Sequence, residues 1–194
     1  LVFTLVMESQ KKVLLVSINS AAEMVSTSSS DNLEATPRWD VPIINLKGIV
    51  DNPNKITNII MTVHFNIDLL PVSFDPNETY LVQQISPFIS TLVDYYHFVI
   101  VDLPNEMDGV VLKALTQSDV IHIISLDDPE NLKMTRQVIY QIEENLKENF
   151  DLEKVHVIIS GKPTEASLSY DEISTIMDFP VATKLPYIDK SDLT

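Results

Sequence analysis

The chain has 194 residues, 45% of them hydrophobic, enough for a real core in one α/β domain or in part of a larger one. Its 13 basic and 28 acidic side chains give a formal charge of −15, which opposes contact with a phosphate backbone and weighs against a nucleic-acid partner for this segment. Without cysteine there are no disulfides or thiolate metal sites, no apolar run approaches the roughly 20 residues a bilayer-spanning helix needs, and no signal peptide is visible.

In chain order, residues Leu1 to Ser9 read as the end of an amphipathic helix, followed by a buried strand from Val13 to Asn19 that ends in small polar groups. From Ser20 to Asp40 the composition turns polar and predicts a surface loop, with Trp39 as a partly buried anchor beneath it. Lys55 to Val63 fits a short helix, and Asn66 to Ser73 a strand closed by the turn-prone Phe74-Asp75-Pro76-Asn77. Thr79 to Tyr95 carries Leu81, Ile85, Phe88, Ile89, Leu92 and Val93 at helical spacing, with Pro87 expected to kink or divide the helix. Phe98 to Val101 is a continuous apolar run, the pattern of a strand buried on both faces of a parallel sheet, and it ends in Asp102. Pro104 stops it, and Asn105 to Gly109 reads as a loop. There follow a helix from Val110 to Thr116, a buried strand from Asp119 to Leu126, a long helix to about Asn149, a strand from Val155 to Ser160, a helix from Tyr170 to Met177 and a last strand from Val181 to Leu185. Strand and helix alternate, so the expectation is one α/β domain over residues 1–194: a three-layer, mainly parallel, doubly wound sheet.

In an open parallel sheet, ligands bind outside the carboxyl ends of the strands, which makes Asp102 the leading candidate for a functional carboxylate; a helix-capping role is the alternative. Asp127 and Asp128 precede a helix N-terminus, where the dipole favours acidic residues, and read as structural. His97, His122 and His156 fall near the starts of three strands, the wrong end for ligands, and read as core or layer-facing histidines rather than a metal triad.

Several stretches together resemble the ATPase superfamily that contains the ParA and MinD proteins, and within it the pilus-assembly localisation proteins called CpaE or TadZ. Leu1 to Asn19, with Lys11-Lys12-Val13-Leu14-Leu15-Val16, is similar to the helix and strand that follow the family's deviant Walker A loop. Tyr96 to Pro104 resembles the Walker B strand and the start of switch II; Ser118 to Ile124 and Asp178 to Tyr187 are similar to later strands of the domain. The resemblance implies a P-loop NTPase-like fold that binds ATP and Mg2+, with Asp102 catalytic and holding the magnesium shell through water. It also places Ser17, Asn19, Pro104, Ser160 and Pro186 around the nucleotide.

The departures from the family pattern matter. Ser17 and Asn19 stand where many members carry Asp, and Ser160 near where many carry an adenine-reading Asn. The three glycines, Gly48, Gly109 and Gly161, form no phosphate-cradling cluster, so the phosphate loop and the strand before it are expected upstream of Leu1, that strand lying beside the one ending in Asp102. The chain also begins inside a helix without an initiator Met and stops just after a strand and turn, which reads as a fragment truncated at both ends. The implied function is a slow ATPase with a nucleotide-dependent homodimer switch that positions a pilus or secretion machine through protein partners. The expected place is the cytoplasm or the inner face of the membrane, without insertion of this segment. The alternative is a pseudo-ATPase adaptor of the same fold that acts only through protein contacts.

Overall fold

The computed structural model of the chain describes residues 8–20, 43–52, 56–63, 67–75, 77–147, 150–161 and 168–186. They belong to two compact units, Leu1–Gln117 and Ser118–Thr194. The expected helix over Leu1 to Ser9 falls outside the described residues except for Glu8 and Ser9, which are helical, and the Ser20 to Asp40 loop with Trp39 lies outside them beyond Ser20.

The first unit is built on β1 (Val13–Ser20), whose alternation of buried and half-buried residues fixes its register. β1 pairs in parallel with β4 (Asp68–Phe74) on one side and β5 (Phe98–Asp102) on the other. The far edge of β4 is shared by two short strands: β2 (Ile44–Asn45) runs parallel to Val72 and Ser73, and β3 (Met61–Thr62) antiparallel to Asp68 and Leu69. Pro71 falls between these two pairings, so a residue without a donor sits where that edge is interrupted.

One face of this sheet presents Leu14, Val16, Ile18, Leu70, Val72 and Phe74. Three helices cover it: α1 (Leu46–Val50), α3 (Tyr80–Val93) and α4 (Gly109–Gln117), with α2 (Ile56–Ile59) adding Ile56. Helix α3 runs unbroken through Pro87, because the apolar stripe Leu81, Ile85, Phe88, Ile89 and Leu92 is buried on both sides of the proline and outweighs one lost backbone bond. The opposite sheet face carries Val13, Leu69 and Pro71, also buried.

β5 departs from the expected strand buried on both faces: Phe98 and Asp102 are exposed and the three residues between them half-buried. Its composition is that of an interior strand, but among the described residues it has a partner on one edge only. Lys55 to Val63 is likewise not one helix; α2 gives way to β3, where Met61 joins the ladder.

The second unit is a parallel three-stranded sheet in the order β6 (Ile121–Leu126), β7 (Val155–Ser160), β8 (Val181–Lys184). Val157 and Ile159 pack against Leu132 and Ile139 of α5 (Pro129–Leu146) and Ile173 and Met177 of α6 (Tyr170–Met177). The other face of β6 is open, with Ile124 59% and Leu126 49% exposed. The expectation of a wholly buried strand therefore fails for that face.

Local chemistry sets the helix ends here. Asp128 accepts from the backbone N–H groups of Glu130 and Asn131, with Pro129 beginning α5. Ser169 and Glu172 form a reciprocal capping box at the start of α6. Asp127, whose side chain is 4% exposed, pairs with Lys184 of β8 and accepts from the N–H of Leu168, tying the end of β6 to the entry of α6. Lys184→Met leaves that carboxylate buried without its cation, and we expect a loss of roughly 3 kcal/mol, read as a lower urea midpoint. Ser169→Ala should cost about 1 kcal/mol at neutral pH through the lost cap. The bonds from Ser169 hold the Glu172 carboxyl below its ordinary range. Their contribution is present above the unfolded carboxylate value and is lost as pH falls through the lower folded one, so the difference between parent and variant should narrow in acid.

Candidate functional site

The site begins with register. Ser17 of β1 lies opposite Asp102 of β5, and Asn19, two residues on, lies opposite Ser73 of β4. Residues in one register row of a parallel sheet share a face, and so do residues two apart on one strand. Asp102, Ser17, Asn19 and Ser73 therefore stand together on one face at the carboxyl end of the sheet. The sheet turns this face outward here because the alternate residues, Val16, Ile18, Val72 and Phe74, are committed to the core on the other side.

Three members of this row are neutral. Asn19 donates from Nδ2 to Ser17 Oγ at 3.2 Å, and Ser17, Asn19 and Ser73 are half-buried. Asp102 is the exception. It is exposed at the strand end, yet enough protein surrounds its carboxyl to push its pKa above the ordinary value through desolvation. The segments that frame it, Val13–Ser20 and residues 98–109, contain no Lys or Arg.

The chain leaves this row through Leu103 and Pro104, both half-buried, and reaches α4 after the exposed Asn105 and Glu106. Asp108 closes the loop: its Oδ1 accepts from Val111 N at 2.9 Å, capping α4. Asp102 is thus not the cap of the following helix. Gly109 sits where a Cβ would meet Val82 Cγ2 at 2.9 Å, so α4 starts hard against α3 only because this residue has no side chain. The loop is short and fixed at its far end.

An Mg2+ ion fits this donor set in a limited way. Magnesium is commonly held by one or two carboxylates plus phosphate oxygens and water, and Asp102 is one accessible carboxylate with hydroxyl and amide oxygens beside it. Among the described residues no group of three or more acidic or His side chains could hold a metal without such help.

The remaining expected residues lie in the second unit. Ser160 ends β7 in the row of Leu126, and Pro186 is exposed two residues past β8. Next to Ser160, Gly161 has φ +149°, a conformation that favours glycine. Asp127 and Asp128 are engaged structurally, the first with Lys184 and the second as a cap whose pKa is lowered by the Asn131 backbone and side chain. The histidines are not core residues: His97 and His122 are exposed and His156 is half-buried. Sequence reasoning missed Ser73; its one signal was a small polar residue ending an apolar strand just before an Asp-Pro-Asn turn.

No protein-family model matches the chain. The chain is 25% identical over 111 residues to the ParA family protein MG470 of Mycoplasma genitalium, a match that takes in 53% of this chain and 41% of that protein. The chain thus spans about two fifths of the length of that curated relative. Among solved structures it superposes on a ParA family ATPase from Chlorobium tepidum with a TM-score of 0.70 at 18% identity, covering 99% of this chain and 78% of that one. It also superposes on the septum site-determining protein MinD of Pyrococcus horikoshii, solved with Mg-ADP, with a TM-score of 0.62 at 16% identity, covering 95% of this chain and 72% of that one. At these identities it is the architecture that is shared, and the chain has the mainly parallel α/β fold of the ParA and MinD ATPases.

Proposed function

We propose that this chain belongs to a ParA/MinD-type ATPase in which Asp102 serves the nucleotide-bound magnesium. One observation carries the reading: a single carboxylate with a raised pKa stands at the carboxyl end of β5, in register with the polar end of β1, in a fold whose Pyrococcus horikoshii counterpart was solved with Mg-ADP. A carboxylate that is costly to charge in the empty fold is one whose charge a bound cation would favour.

On this reading Asp102 holds the magnesium through water, and Ser17 and Asn19 supply neutral hydrogen-bonding groups beside it. The magnesium would neutralise phosphate charge during transfer to water. Ser160 and Pro186 belong to the adenine side of the same reading. The reading also calls for a phosphate loop with a Lys, and a strand before such a loop would suit the edge of β5 that has no partner among the described residues. The whole would act as a nucleotide-dependent homodimer switch placing a pilus or secretion machine through protein contacts, as in the CpaE and TadZ proteins it resembles.

A second reading rests on the Asn19 to Ser17 hydrogen bond. Two neutral groups satisfying each other, where a second acidic cluster is usual in the family resemblance, suit an adaptor that keeps the fold and has lost turnover.

In a form of the protein that carries a phosphate loop, Asp102→Ala should abolish magnesium-dependent ATP hydrolysis or nucleotide-driven dimerisation. Parental levels of both would make Asp102 structural, and absence of hydrolysis in the parent would favour the adaptor. The 194-residue chain alone should bind Mg-ATP more weakly than low-micromolar by titration calorimetry, since most phosphate affinity comes from the loop amides and Lys.

A pH test is independent of turnover. The raised Asp102 pKa means the folded state binds its proton more tightly than the unfolded chain, so the charged form costs stability that builds up as pH rises from the unfolded value through the folded one. Asp102→Asn should therefore melt higher than the parent at neutral pH, with the gap closing below the unfolded carboxylate pKa. An unchanged melting temperature at neutral pH would contradict the desolvated carboxylate.

A further inference from the structure

His122 and His156 occupy one register row of the parallel β6 and β7 ladder. Their ring centroids are 5.9 Å apart and the rings are tilted by 54°. Both project from the face opposite the one covered by α5 and α6, because the alternate residues of the two strands, Ile121, Val155 and Val157, are turned into the core. His122 is exposed and His156 half-buried, so the pair is reachable from solvent. From this juxtaposition we propose that His122 and His156 form a two-histidine site for a divalent transition-metal ion of the imidazole-preferring class, Zn2+, Ni2+ or Cu2+.

The geometry is close to what such an ion needs. Metal to imidazole-nitrogen bonds are about 2.0–2.1 Å, which sets the centroids of two rings on one tetrahedral ion roughly 5 Å apart. The observed 5.9 Å is about 1 Å beyond that separation, between rings carried on adjacent, paired strands. Among the described residues no further acidic or His group completes a set of three, so water fills the other positions. Such an open, two-ligand site has micromolar rather than structural-zinc affinity. Its consequence is a clasp: an ion held by both strands binds the paired ladder and not the unfolded chain, and so stabilises the second unit in proportion to its concentration.

The test uses the full 194-residue chain with ZnCl2 and CuSO4 as probes. Calorimetric titration at neutral pH should show one saturable Zn2+ per chain at micromolar Kd, and the melting temperature should rise with added Zn2+. His122→Gln and His156→Gln should each weaken binding by about tenfold or more and remove the melting shift, whereas His97→Gln should leave both unchanged. Absence of saturable binding in the parent, or parental affinity in either ladder variant, overturns the proposal. If a variant loses its fold by circular dichroism, the decision passes to electron paramagnetic resonance of the parent with one equivalent of Cu2+. Hyperfine structure from two imidazole nitrogens supports the site, and a signal from one or none overturns it.

Discussion

The register of β1 between β4 and β5 is the constraint on which the rest of the first unit depends. Leu14, Val16 and Ile18 must all face the helices, and a slip by one residue would turn them outward and bring Ser17 and Asn19 into the core. Burial of this kind is worth roughly 1.5–3 kcal/mol for each large aliphatic side chain, so the slipped arrangement loses several such contributions at once. The placement of Ser17 beside Asp102 is therefore a by-product of core packing. A polar row at a strand end needs no force of its own to assemble when the alternate positions are already committed.

Three carboxylates at strand ends show how differently the chain treats such groups. Asp128 caps α5 and its pKa falls; Asp127 is almost fully buried and carries Lys184 as its counter-ion. Asp102 has neither a cap to serve nor a cation in the segments around it, and its pKa rises. Structural carboxylates are compensated because an uncompensated charge costs stability. Asp102 is left uncompensated at the carboxyl edge of its sheet, where ligands of open α/β sheets bind, and this is the ground on which we propose it for a bound cation.

Elements whose apolar pattern coincides with helix or strand period were legible from the sequence, and the strand Val155–Ser160 and helix Tyr170–Met177 have the bounds the pattern gives. The short elements β2, α1 and β3 were not, since two to five residues carry too little periodicity to separate them from a loop, and their pairing is decided by the edge of β4. Pro87 does not divide its helix for a related reason: local propensity opposes continuity there, and the buried stripe on either side overrules it. Of the site, Asp102, Ser17 and Asn19 were legible as strand-end groups. Ser73 was not, because only the β1 to β4 register brings it alongside Asn19.

Exposure was the least legible property. Phe98 to Val101 and Ile121 to Ile124 have the composition of interior strands, yet β5 is half-buried and β6 presents Ile124 to solvent. Composition reports what a strand can tolerate, whereas burial reports what covers it, and cover comes from elements distant in sequence. The same distinction governs the histidines. Read along the chain, His122 and His156 are isolated polar residues in apolar runs and look like satisfied core groups. Read across the ladder, they are in-register neighbours on the one face of the β6 to β8 sheet that α5 and α6 leave uncovered. Two imidazoles held side by side are a different chemical object from either alone. That object exists only because two strands separated by a long helix pair residue for residue.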